Sequence, residues 1–96
     1  METLSLIQNK LRELKPDLVQ KYHVNSIGLF GSVVRNDFTS ESDIDIVVDF
    51  SQSIGIEFIY LANELELQLN RKVDLVSKDG IKPAYFLAIR PNIVYI

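Results

Sequence analysis

Two aspartates one residue apart, Asp43 and Asp45, stand at the head of the run Asp43-Ile-Asp-Ile-Val-Val-Asp-Phe50. On a β-strand, residues i and i+2 point the same way, roughly 6.5–7 Å apart at Cα. Two carboxylates so placed repel each other unless something neutralises them. Mg²⁺ suits the task, because it is a hard cation that takes oxygen ligands and leaves positions for phosphate. A pair of such ions can clamp the attacking and leaving oxygens of a phosphoryl transfer. Alone, the pattern also describes a strand with one wet side.

Three further features bear on it. Gly31-Ser32 ends a short apolar run. Glycine lets backbone approach a ligand closely, and serine can cap a helical turn or turn its hydroxyl to a phosphate. Ten residues, Val33 to Ser42, separate Ser32 from Asp43. That length returns the chain to a neighbouring strand, with a phosphate cradle and the carboxylates at one sheet edge. Asp74 lies in Lys72-Val-Asp-Leu-Val-Ser77. Aspartate is depleted in strands, so Asp74 is either an exposed edge residue or a third carboxylate of the same site.

The elements that must position these residues follow from periodicity. Leu4, Ile7, Leu11 and Leu14 form one stripe of a helix over Thr3 to Leu14, with Thr3 as its N-cap. Lys15-Pro16 breaks or restarts that helix, and Asp17 to Tyr22 adds a turn or two. Ser26 to Phe30 is a buried strand, Val33 to Asn36 one or two helical turns, and Asp37 to Ser42 a polar, turn-rich stretch. Ile44 to Phe50 is the clearest strand. Ile44, Ile46, Val48 and Phe50 share one face; Asp43, Asp45, Val47 and Asp49 share the other. Ser53 to Asn70 is the longest helix, burying Phe58, Leu61, Ala62, Leu65 and Leu69. Lys72 to Ser77 is a third strand, Asp79-Gly80 a turn, Pro83 to Ile89 a short helix, and Ile93 to Ile96 a last strand.

This alternation predicts an α/β (α+β) domain with a small mixed sheet of three to four strands and helices packed on it. The 96 residues predict one domain, residues 1–96, with one modest core and no room for a second substrate domain. The formal net charge of −3 and the scattered Lys and Arg argue against a broad nucleic-acid surface, so no direct nucleic-acid binding is expected. There are no cysteines and one histidine, which removes disulfides and thiolate sites and disfavours zinc. No apolar run nears the roughly 20 residues of a membrane span. The charged start METLSLIQNKLRELK lacks a signal-peptide core. A soluble, cytoplasmic protein is expected.

The stretch from Phe30-Gly-Ser to Ser42-Asp-Ile-Asp resembles the signature of the minimal nucleotidyltransferases of the DNA polymerase β-like superfamily: Gly-Ser, ten residues, Asp-x-Asp. Gly31, Ser32, Asp43 and Asp45 match it without gaps, and Asp74 corresponds to the third carboxylate. The resemblance covers essentially the whole chain. It implies the nucleotidyltransferase fold and Asp43, Asp45 and Asp74 as catalytic residues ligating one or two Mg²⁺ ions. Gly31 and Ser32 would bind the nucleotide, with ATP as donor. Arg35 matches a position where the family often has arginine; it either contacts the nucleotide or anchors the short helix. The family commonly has glycine next, where this chain has Asn36.

Members of this family are often paired with a helical HEPN partner in a toxin–antitoxin system. The resemblance therefore implies a hetero-oligomer in which this chain is the antitoxin, transferring AMP to a tyrosine of a HEPN ribonuclease toxin. Two other readings stay open. One is an antitoxin that neutralises its partner by binding alone. The other is an enzyme acting on RNA ends or a small hydroxyl acceptor. Asp49 is read as solvated edge and His23 as a surface-loop residue. Tyr85-Phe86 and Tyr95 are either a partner surface or core and rim packing, the latter being the reading taken, and Glu57, Glu64 and Glu66 are read as the wet face of the long helix.

Overall fold

The structure, a computed structural model, describes residues 2–35 and 37–96. The expectation for Asn36 lies outside the described residues. Helix α1 (Glu2–Tyr22) leads into strand β1 (Val24–Phe30) and a 3₁₀ turn (Gly31–Val34). Strand β2 (Ile44–Phe50), helix α2 (Glu57–Leu69) and strand β3 (Val73–Ser77) follow. A 3₁₀ turn (Lys78–Gly80), helix α3 (Pro83–Ile89), another 3₁₀ turn (Arg90–Asn92) and strand β4 (Val94–Tyr95) complete the described order.

The four strands form one mixed sheet in the order β3-β2-β1-β4. β1 is antiparallel to both β2 and β4, whereas β2 and β3 run parallel, with α2 as their crossover. The period-two reading of β2 holds residue for residue: Ile44, Ile46 and Val48 are fully buried on the face that meets the helices. They join Leu11 and Leu18 of α1, Ile27 and Leu29 of β1, and Leu61 and Leu65 of α2 in one core. The other face of the sheet carries Phe30, Asp45, Val47, Asp74 and Val76 by alternation from those positions.

Two expectations for the first helix are corrected. It already includes Glu2, so Thr3 is a helical residue and not its cap. It also runs unbroken through Pro16. Interior proline removes one hydrogen bond and crowds the carbonyl four residues back. Here Pro16 faces solvent, while the buried stripe Ile7, Leu11, Leu18 and Tyr22 continues on both sides of it. Burial of that stripe against the sheet outweighs the local cost.

α2 is shorter than its periodicity suggested. Gly55 donates its amide to the Glu57 carboxylate at 2.8 Å, which holds the preceding residues in a turn. Asn70 ends the helix in the left-handed conformation, φ 53°. The acidic residues of α2 are more than a wet face. Glu64 accepts hydrogen bonds from Lys21 Nζ and from the Tyr22 hydroxyl, both at 2.8 Å. Glu66 accepts the Val73 amide at 3.0 Å, tying α2 to the start of β3.

Candidate active site

The site is built at the end of the sheet where β1 finishes and β2 and β3 begin. The register sets Phe30 opposite Asp45, and Asp45 beside Asp74. One row across three strands therefore brings the Gly31 turn, Asp45 and Asp74 together, as their spacing suggested. Asp43 lies just before β2 and is exposed.

Gly31 is required twice over. Its φ is +72°, a conformation L side chains rarely adopt. A Cβ there would also collide with a carboxylate oxygen of Asp45 and lie 3.0 Å from its Cγ. The Asp45 side chain thus rests directly on the bare backbone of the turn. No side chain caps this 3₁₀ turn at its N-terminus, so the capping role weighed for Ser32 is not the one the geometry gives. Ser32 is half-buried in the turn, and its carbonyl accepts the Arg35 amide at 3.1 Å.

Asp45 is half-buried, and its pKa is pushed up from 3.8 to about 6. Burial is the main cause, followed by the negative charges of Asp74 and Asp43 and a carboxyl–carboxyl hydrogen bond to Asp74; Arg35 opposes the shift. The share due to Asp74 and Asp43 is the repulsion expected of clustered carboxylates. Arg35 itself is exposed and pairs with Asp37, Nε to Oδ1 at 3.2 Å. That salt bridge anchors the loop after the turn, and its charge still reaches Asp45.

Among the described residues, no three His, Cys, Asp or Glu side chains converge tightly enough to hold a metal by themselves. Asp45 and Asp74 are direct neighbours, with Asp43 within electrostatic reach.

Arg71 is a residue that sequence reasoning passed over. Its guanidinium donates to the carbonyls of Thr39 and Ser42, both at 2.8 Å, and lies 4.5 Å from the centre of the Phe38 ring. The Ile44 amide meets the Lys72 carbonyl at 2.9 Å beside it. The chain entering β2 is thereby clipped to the chain entering β3. The signal was an arginine two residues before a strand, which sequence alone cannot pair with a loop 30 residues away. His23 and Asp49 lie outside this group. The His23 carbonyl accepts the Ser51 amide at 2.8 Å, and Asp49 accepts from Asn25 at 3.1 Å.

A family model described as the nucleotidyltransferase domain matches residues 11–94. The chain belongs to that family. A Methanocaldococcus jannaschii protein, named as a candidate protein adenylyltransferase, is 43% identical over 98 residues spanning 100% of both chains. The protein adenylyltransferase MntA of Thermococcus cleftensis is 37% identical over 97 residues, covering 100% of this chain and 98% of that one. In a solved complex of tri-AMPylated Shewanella oneidensis HEPN toxin with MNT antitoxin, one chain matches with a TM-score of 0.70 and 26% identity. That match covers 96% of this chain and 70% of the other. The fold of this nucleotidyltransferase is thus the one that the family resemblance implied.

The carboxylates of this nucleotidyltransferase suit a hard divalent cation. Mg²⁺ is commonly held by one or two carboxylates, with substrate phosphates and water completing its shell. A pair of adjacent aspartates, one of them carrying a raised pKa, is the donor set such an ion would relieve. Among the described residues, no helix is long and apolar enough to cross a membrane.

Proposed function

We propose that residues 1–96 act as one nucleotidyltransferase domain that moves AMP from ATP to a tyrosine hydroxyl of a HEPN-type ribonuclease toxin. The chain would be the cytoplasmic antitoxin of that partner, in a hetero-oligomer with it. The observation that carries the reading is the row formed by the Gly31 turn, Asp45 and Asp74. The names of the relatives, and the AMPylated toxin bound to a related antitoxin, support a HEPN toxin as the acceptor protein; its tyrosine is what the family resemblance implies.

Position supports the following roles. The Gly31 amide and the Ser32 hydroxyl hold the β- and γ-phosphates, beside the Asp45 carboxylate that a side chain at Gly31 would displace. Arg35 sits beside the turn and offsets negative charge there. Asp43, Asp45 and Asp74 would hold Mg²⁺, one ion or two, which when bound supplies the charge stabilisation that phosphoryl transfer needs. Asp74, on the outer strand, would complete that metal site and so favour deprotonation of the acceptor hydroxyl. Catalysis is then positioning and electrostatics, with no covalent work for the protein.

The test is intact-mass spectrometry of the candidate HEPN partner after incubation with this protein, ATP and Mg²⁺. The double variant Asp43→Asn with Asp45→Asn is the control. A gain of one or more AMP units, absent in the control, is expected. A stable complex with no gain would favour neutralisation by binding alone. Wild-type transfer by the double variant would overturn the assignment of the site.

A further inference from the structure

Helix α2 carries large apolar side chains on two opposite sides. Leu61 and Leu65 face the sheet and are fully buried. On the outer side Leu67 is 78% exposed, and Ile59 and Tyr60 are each more than half exposed, as is Ile56 at the helix N-cap. Positions 56, 59, 60, 63 and 67 recur at helical spacing, so these four side chains form one outward stripe, with Asn63 as the polar residue within it. A surface helix ordinarily turns charged and polar residues that way, and a contiguous exposed apolar patch marks a contact surface. The exposed large apolar residues of α1, Leu6 and Val19, stand apart on different faces and make no such stripe.

The edges of the stripe are acidic. Glu57 and Glu64, at i and i+7, border one side and Glu66 the other, and α2 holds no Lys or Arg. Each carboxylate is fixed in place: Glu57 by the Gly55 amide, Glu66 by the Val73 amide, and Glu64 by Lys21 and the Tyr22 hydroxyl. Lys21 offsets one of these charges, while the amides orient the others without cancelling them. The acidic edge decides the occupant. A lipid surface favours an apolar helix face edged by Lys and Arg, the reverse of this one. A second copy would set acidic edges against each other, in a chain whose formal net charge is already −3. A partner helix whose own apolar stripe is edged by Lys or Arg matches both features.

We propose that the outer face of α2 docks a helix of a partner protein, one that carries an apolar stripe edged by Lys or Arg. Ile56, Ile59, Tyr60 and Leu67 make the apolar contact, and the fixed glutamates meet the basic edges. The apolar contact supplies most of the affinity, whereas the charges set the choice of partner and the rate of encounter. This face lies behind the sheet, because α1 and α2 cover the side opposite to Asp45 and Asp74. Docking there leaves the carboxylate row open, so the face serves assembly and is separate from the site of transfer.

The experiment is an amide-resolved NMR titration of the ¹⁵N-labelled full chain with two synthetic amphipathic helical peptides. Both carry the same leucine stripe, edged by lysine in the first and by glutamate in the second. The lysine-edged peptide is expected to shift the α2 amides from Ile56 to Leu67, to bind about tenfold or more tightly than the other, and to weaken as salt rises. Leu67→Ser and Ile59→Ser, both at exposed positions, are expected to cut its affinity about tenfold each. Leu87→Ser, at an exposed position of α3, is expected to leave it unchanged. Saturating peptide is expected to leave the response of Gly31 and Ser32 to ATP with Mg²⁺ as it was. No binding, equal binding of the two peptides, or shifts confined to other elements would overturn the proposal. A dimer of the chain alone, seen by light scattering and dissolved by Leu67→Ser, would give the face to a second copy and overturn it too, as would α2 shifts with phosphatidylserine vesicles that Leu67→Ser abolishes.

Discussion

The carboxylate of Asp45 occupies the space that a side chain at Gly31 would need. The nucleotide turn and the acidic strand are therefore one packed unit, with the positive φ of Gly31 as its hinge. Gly31→Ala must strain the backbone and displace Asp45 together. Left-handed backbone costs an L residue about 1–2 kcal/mol, and the collision adds to it. We expect a lowered Tm in thermal melts and loss of detectable AMP transfer. A Gly31→Ala protein with full activity would show that Asp45 need not rest on the turn.

Asp45 links the site to pH. Its pKa in the folded, metal-free protein is about 6, above its ordinary 3.8, so the fold favours the protonated carboxyl. The stability this contributes is fully present below about pH 4 and is lost as pH rises through about 6. Asp45→Asn, which carries no charge at any pH, should raise the metal-free Tm at pH 7.5 relative to wild type and narrow that difference at pH 4. Added Mg²⁺ should stabilise wild type at pH 7.5 more than at pH 5, and stabilise the variant little. Melting curves across pH, with and without Mg²⁺, check both signs.

Arg71 joins the loop before β2 to the start of β3. Arg71→Ala removes two charge-assisted hydrogen bonds and the stacking on Phe38. The expected cost is about 1–3 kcal/mol, with a fall of roughly tenfold or more in transfer rate as Asp43 and Asp45 lose registry with Asp74. Arg71→Lys should not restore the rate, because an ammonium can meet the two carbonyls but has no planar face to stack on Phe38 at the same time. Steady-state kinetics alongside thermal melts separate the two effects. A variant that loses stability but keeps its rate would reduce Arg71 to a structural role.

Pro16 lies within α1 and faces solvent. Pro16→Ala should restore a helical hydrogen bond and stabilise the chain by about 1–3 kcal/mol. Denaturant unfolding measures this, and activity should be unchanged, since Pro16 faces solvent and is no part of the carboxylate row. A destabilised variant would mean that α1 needs the proline to follow the sheet.

Glu64 holds Lys21 and the Tyr22 hydroxyl, and its carboxyl is held below its ordinary 4.5, chiefly by Lys21. The stability it contributes is present above that ordinary value and lost as pH falls through the lowered one. Glu64→Gln should therefore lower the Tm at pH 7 and matter less in acid. Melts of the two proteins at pH 7 and in acid test this.

Local pattern was enough to read β2 to the residue. Alternation of Ile44, Ile46 and Val48 with Asp45 is a period-two signal that no helix reproduces, and α3 carried its own proline start. The Gly-Ser and Asp-x-Asp spacing placed Gly31, Ser32, Asp43 and Asp45 as candidates, and Asp74 stood out because aspartate is depleted in strands. What the sequence left open was long-range. The continuity of α1 through Pro16 depends on a sheet for its flanking leucines to bury against. The role of Arg71 depends on two carbonyls some 30 residues earlier. Tyr85 borders two hollows only once α3 has been laid beside the Gly31 turn and β3. Spacing along a chain reports which way a side chain points within its own element, whereas what it meets there is set by packing between elements far apart in sequence.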